Sequence, residues 1–142
     1  MEKILVCEIS EVIATGRKQV TVNDRNIFII YDNGEFFALD SYCYHAGGPL
    51  HIGEIEEYGG KKCITCPWHR YKICIANGEG LYESINPFDL SKPPEIKSKG
   101  VKQRIHRVTT ENGKVYVELS TKDSVDSDNY NDKDSREKLQ LV

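Results

Sequence analysis

A chain of 142 residues with a formal net charge of −3 has room for one hydrophobic core that needs no disulfide to hold it. It carries no block of Lys or Arg of the kind that grips nucleic acid. No apolar run approaches the ~18 residues of a membrane span, so no insertion into a bilayer is expected.

The N-terminus, MEKILVCEIS, alternates early and carries glutamates, which does not fit a secretory signal. The expected location is therefore the reducing cytoplasm. There the five unevenly spaced cysteines serve as core residues or metal ligands rather than as disulfides.

The dominant period along the chain is two, the mark of strands. Residues 4–9 (ILVCEI) open the series, 18–22 (KQVTV) follow, and Asn23-Asp24 turns the chain into 26–31 (NIFIIY). Asp32-Asn33-Gly34 predicts a hairpin into 35–39, because Asn-Gly accepts the positive φ of a tight turn. Residues 61–65 (KKCIT) and 71–75 (YKICI) bracket Cys66-Pro67-Trp68-His69. Residues 101–109 and 114–119 flank a second Asn-Gly turn at 112–113. No segment carries a helical stripe, and the pattern predicts an all-β domain.

Two stretches stand apart. Residues 83–100, with Asn86-Pro87 and Pro93-Pro94, read as a long irregular connection. After Ser120 the sequence TKDSVDSDNYNDKDSREK holds too little apolar surface to offset its ordering entropy. The expectation is a folded domain over 1–120 and a disordered tail over 121–142, with Leu139-Gln140-Leu141-Val142 as the part able to dock.

The chemistry is concentrated in two inter-strand loops. Cys43 and His45 lie in SYCYHAGGPL, and Cys66 and His69 lie in CPWH. Gly47 and Gly48 allow close backbone approach, while Pro49 and Pro67 stiffen the loops. Two Cys and two His, Cys-x-His and Cys-x-x-His, could form a tetrahedral zinc site or an electron-carrying centre. Cys63-Ile64-Thr65-Cys66 also has thioredoxin-like spacing, but that chemistry needs a βαβ setting which the strand pattern denies. Cys7, Cys63 and Cys74 read as small core residues. His51 reads as an exposed loop residue and His106 as structural.

At CYHAGGPL (43–50) and CPWH (66–69) the chain resembles Rieske-type [2Fe–2S] ferredoxin domains. The turn at Asn77-Gly78-Glu79 and the segment NGKVYV (112–117) also match, so the likeness covers roughly residues 4–119. The resemblance implies a fold of small antiparallel sheets with both loops at one tip. It implies one [2Fe–2S] cluster, with Cys43 and Cys66 on one iron and His45 and His69 on the other. Two ferric ions, two sulfides, two thiolates and two neutral imidazoles carry no net charge, whereas four thiolates would leave two negative charges. Histidine ligation thus favours the electron.

In the respiratory branch of that family each loop carries a further cysteine, and the two form a disulfide; here those positions are Gly48 and Trp68. The hydroxyl donors of that branch fall at Tyr71 and Ile73. A potential near about −150 mV, rather than +300 mV, is therefore expected.

Trp68, with Leu50 and Pro67, would cover the cluster, and Tyr44, Arg70 and Lys72 adjoin it. The implied function is a soluble, monomeric carrier of single electrons between a reductase and an acceptor such as an oxygenase. It would not be an enzyme, since a complete oxygenase needs a separate domain with a mononuclear iron on two His and a carboxylate, and only His51 and His106 remain. The alternative is a regulatory or structural module holding zinc or a redox-sensing cluster.

Overall fold

The computed structural model describes residues 2–120 and 124–131. Eleven strands occur among them: β1 (Ile4–Glu8), β2 (Arg17–Val22), β3 (Arg25–Asp32), β4 (Glu35–Asp40), β5 (Glu54–Tyr58), β6 (Lys61–Thr65), β7 (Lys72–Cys74), β8 (Glu79–Ser84), β9 (Glu95–Val101), β10 (Ile105–Glu111) and β11 (Lys114–Glu118). Two short helices join them, α1 (Ile9–Ile13) and α2 (Asp128–Asn131). All pairings are antiparallel. One sheet has the order β1-β11-β10-β4-β3-β2 and the other β5-β6-β7-β8-β9. No helix among the described residues is long and apolar enough to cross a membrane.

The expected turns lie where the sequence puts them. Asn33 (φ 48°) and Gly34 (φ 81°) fold β3 onto β4, and Asn112 (φ 50°) and Gly113 (φ 76°) fold β10 onto β11. Strand β3 is apolar on both faces, and each face feeds a different core. Phe28 and Ile30 pack with Leu39, Leu50, Ile64, Ile73, Cys43 and Cys66. Ile27 and Ile29 pack with Val12, Ala38, Val115 and Val117. Full burial of each such side chain stabilises the fold by roughly 1.5–3 kcal/mol, so β3 ties the two halves together.

Three expectations need correction. Residues 83–100 are not an irregular connection throughout, because their ends form β8 and β9. All seven residues of β9 are exposed, so backbone pairing to β8 makes the strand without a period-two pattern. Helix α1 was hidden because five residues are too few for a stripe. It is set by reciprocal Glu8–Glu11 capping and buries Val12.

Residues 124–131, inside the stretch expected to be disordered, pack against the domain, with Ser127 and Asn131 fully buried. Their docking rests on polar groups, which an apolar-area argument does not weigh. Leu139-Gln140-Leu141-Val142 lie outside the described residues.

A polar pillar joins this segment to the sheet. The buried Asp40 carboxylate accepts from Arg25 Nε (2.8 Å) and Nη2 (2.5 Å), and from Ser127 Oγ (2.6 Å). His106 Nε2 lies 2.8 Å from Asp40 Oδ1, while His106 Nδ1 accepts the Ser120 N–H at 3.0 Å. That second bond requires a bare Nδ1, so the proton sits on Nε2 and points at Asp40. His106 is structural, as expected.

Candidate metal centre

The first loop runs from the end of β4 to a 3-10 turn at Leu50–Ile52, and the second joins β6 to β7. Each closes on its own backbone. Cys43 N–H donates to Gly48 O and Gly47 N–H to Cys43 O, both at 2.8 Å, and Cys66 N–H donates to Tyr71 O at 2.8 Å. The second loop includes two consecutive non-glycine residues in the left-handed region, His69 (φ 62°) and Arg70 (φ 58°). Such conformations are costly and cluster at functional sites.

The loops meet at Gly48. A Cβ there would lie 2.8 Å from Cys66 Sγ and 3.0 Å from Trp68 Cβ, so only glycine leaves room. Gly48 and Trp68 are thus opposed, as the resemblance implied for the positions that carry a disulfide elsewhere.

The four candidate ligands sort into two pairs. Cys43 and Cys66 are each 1 % exposed and pack in the same core, close enough for each thiol to perturb the other. Their interaction holds the Cys66 thiol down and, with burial, pushes the Cys43 thiol up. Each sulfur also accepts a backbone N–H from two residues on, His45 for Cys43 and Trp68 for Cys66. Such bonds favour the thiolate form that binds metal.

His45 and His69 are exposed, with ring centroids 5.3 Å apart and planes at 85°. Among the described residues no three His, Cys, Asp or Glu side chains converge as a single-ion site. A buried thiol pair beside an exposed imidazole pair is a donor set that fits a two-iron, two-histidine centre.

The surroundings sharpen this. Leu50 shares the core with both thiols, Pro67 is exposed, and Trp68 is half exposed, so its cover is partial. Tyr71 stacks on His45, centroids 4.0 Å apart and planes at 23°, and Lys99 Nζ lies 4.6 Å over the other ring system of that stack, Tyr71. The buried Tyr44 hydroxyl has no hydrogen-bond partner among the described residues, and burial pushes its pKa up to about 12.

An open groove of about 650 Å³ runs beside His45 and His69, lined also by Arg70, Tyr71, Tyr82 and Lys99. Lys72 is engaged by Glu56 at 2.6 Å. His51 is only partly exposed, its Nδ1 3.3 Å from Ser41 O. Cys7, Cys63 and Cys74 are free and buried, as expected. The backbone donors to sulfur and the Tyr71–His45 stack carry no signal in the sequence beyond the tightness of the loops.

The model of the family described as soluble Rieske-type ferredoxin matches residues 4–122. The Rieske domain-containing protein of Homo sapiens is 56 % identical over 115 residues, covering 80 % of this chain and 73 % of that one. The 3-phenylpropionate/cinnamic acid dioxygenase ferredoxin subunit of Photorhabdus laumondii is 28 % identical over 81 residues, covering 57 % of this chain and 73 % of its own. In fold, the ferredoxin of carbazole 1,9a-dioxygenase from Nocardioides aromaticivorans IC177 superposes with a TM-score of 0.62 at 14 % identity, over 84 % of this chain and 100 % of that one. The all-β architecture, the paired loops and the extent of the family match agree: the chain belongs to the soluble Rieske-type ferredoxin family.

Proposed function

We propose that the protein is a low-potential, one-electron carrier, with Cys43 and Cys66 holding one iron of a [2Fe–2S] cluster and His45 and His69 the other. When bound, such a cluster supplies a reversible one-electron couple. The observation that carries the reading is the segregation of the four donors, with two buried thiols in contact and two exposed imidazoles beside them.

The buried side excludes water from the thiolates, and the exposed side brings the imidazole edges to the surface where a partner can approach. Arg70 and Lys99, neither of them in a salt bridge among the described residues, flank the groove and suit an acidic redox partner. A relative named as the ferredoxin subunit of a dioxygenase supports an oxygenase as acceptor, and a reductase as donor completes the proposed chain. Redox encounters of this kind bury less than ~1,200 Å², which one tip can provide.

The five free cysteines support a reducing, cytoplasmic setting, and the protein works as a monomer. It is a carrier rather than a complete catalyst. The remaining histidines, His51 and His106, both contact the fold's own polar groups.

The test is a metal and acid-labile sulfide count with an absorption spectrum of the purified protein. Two irons, two sulfides and a visible spectrum bleached by dithionite are expected. One zinc and no colour would end the reading in favour of a structural module.

A further inference from the structure

The backbone on either side of Cys43 is held by side chains from outside its loop. Gln103 is fully buried between β9 and β10. Its Nε2 donates to Asp40 O (3.0 Å) and Tyr42 O (2.8 Å), and its Oε1 accepts the Tyr44 N–H (2.9 Å). Asn131, fully buried at the end of α2, grips the same strand of backbone from the C-terminal segment. Its Oδ1 accepts the Tyr42 N–H (2.8 Å), and its Nδ2 donates to Tyr42 O (3.0 Å) and Ser127 O (2.8 Å). Only one orientation of each amide matches these donors and acceptors, so the assignment follows from the network itself.

The segment carrying Asn131 is fastened independently. Ser127 Oγ bonds Asp40, Ser127 N–H donates to Lys102 O, and Asp128 accepts from Arg104 and Arg25. Tyr130 then lies over Gly47, where a Cβ would come within 2.9 Å of its ring.

We propose that Gln103 and Asn131 are positioning residues of the metal centre: two neutral amides that fix residues 42–44, and with them the Cys43 thiol, while residues 124–131 act as a strap over the first loop. The proposal rests on the carrier reading above. At Asn131 it goes beyond the family likeness, because the strap lies past residue 122, where the family match stops. Both amides are uncharged, so they set geometry without adding a charge that would alter the cluster's electron affinity. Removing Gln103 takes away the acceptor of the Tyr44 N–H and removing Asn131 takes away an acceptor of the Tyr42 N–H, and the loop shifts to compensate for the lost bond.

The experiment compares the wild-type holoprotein with Asn131→Ala and Gln103→Met. Val115→Ala, in the other core, serves as a control for general destabilisation. Loss of visible absorbance to an iron chelator and the electron paramagnetic resonance spectrum of the reduced protein are read together with circular dichroism. Asn131→Ala and Gln103→Met are expected to release iron about tenfold faster or more, with altered g-values and native strand content. Val115→Ala should release at the wild-type rate.

Equal release rates and an unchanged resonance in both amide variants would overturn the proposal. So would acceleration by Val115→Ala matching theirs, since the effect would then be general. Should the first two fail to fold, Asn131→Ser decides, because it is neutral and small and its hydroxyl is too short to hold both Tyr42 N–H and Tyr42 O. Faster release supports the proposal, and wild-type release overturns it. A wild-type protein without iron and sulfide would instead refute the carrier reading itself.

Discussion

The Tyr71 ring lies on the His45 imidazole, centroids 4.0 Å apart, and so covers one face of a candidate ligand that is otherwise exposed. Aromatic stacking of this kind contributes about 0.5–1.5 kcal/mol beyond area burial. Tyr71→Leu is therefore expected to lower stability by about 1 kcal/mol and to let chelator remove the metal faster. A thermal melt followed at the visible band measures the first effect and the rate of bleaching the second. A variant indistinguishable from wild type in both would show that the stack is incidental.

The reduction potential should fall near the low end of the Rieske range, about −150 mV. Ile73 is fully buried and has no hydroxyl, and position 71 holds a Tyr ring stacked along His45 in place of a serine, so neither donor of the respiratory branch stands in its usual place. Potentiometric titration with mediator dyes checks this. A value above roughly +100 mV would contradict it.

Gly48→Ala should abolish the site while leaving most of the fold intact. Its new methyl would sit 2.8 Å from Cys66 Sγ and 3.0 Å from Trp68 Cβ, an atom fixed to the backbone. Overpacking of this sort costs about 1–3 kcal/mol and is relieved here by parting the loops. Iron content near zero with a native far-ultraviolet spectrum is the expected result. Wild-type iron content would mean that the loops yield more than their packing implies.

Stability should fall at low pH through Asp40 and Asp128. Burial pushes both carboxyls up, but bonds from Arg25 and His106 to Asp40, and from Arg104, Val125 N–H and Arg25 to Asp128, more than reverse this. Both therefore titrate below the usual value of about 3.9. A depressed folded pKa stabilises above the unfolded value and loses that contribution as pH falls through the folded one. Urea midpoints should hold from neutral pH to about 4 and then decline. Asp128→Asn should lower the neutral midpoint and flatten the decline, as followed by circular dichroism. Parallel curves for variant and wild type would remove Asp128 from the explanation.

Reversing the charge at the groove should slow reduction by anions. Arg70→Glu with Lys99→Glu replaces two cations beside the imidazoles with two anions. The stopped-flow rate with dithionite should drop several-fold at low salt and recover near 1 M, where the screening length shrinks to about 3 Å. A rate independent of both substitutions would place the electron's entry elsewhere.

The hairpins at Asn33-Gly34 and Asn112-Gly113 and the loops bearing Cys43, His45, Cys66 and His69 were legible because each depends on residue types at short, fixed spacing. Strand β9 was not, since its only partner is the backbone of β8 and none of its side chains is buried. Gln103 and Asn131 were equally hidden. Each acts on main-chain atoms 59 to 89 residues away, and nothing in an isolated amide side chain announces which backbone it will meet. The polar segment 124–131 misled for a related reason. Composition measures how much oil a segment can bury, while this one docks through Ser127, Asp128 and Asn131 onto Asp40, Arg25, Arg104 and Tyr42.

That docking changes where the protein can be cut. A chain ended at residue 122, the limit of the family match, would keep all four candidate ligands and every strand. It would also strip Ser127 from Asp40, Asp128 from Arg104, and the Asn131 amide from Tyr42. A fusion or tag that replaces the residues after 122 would therefore loosen the backbone around Cys43.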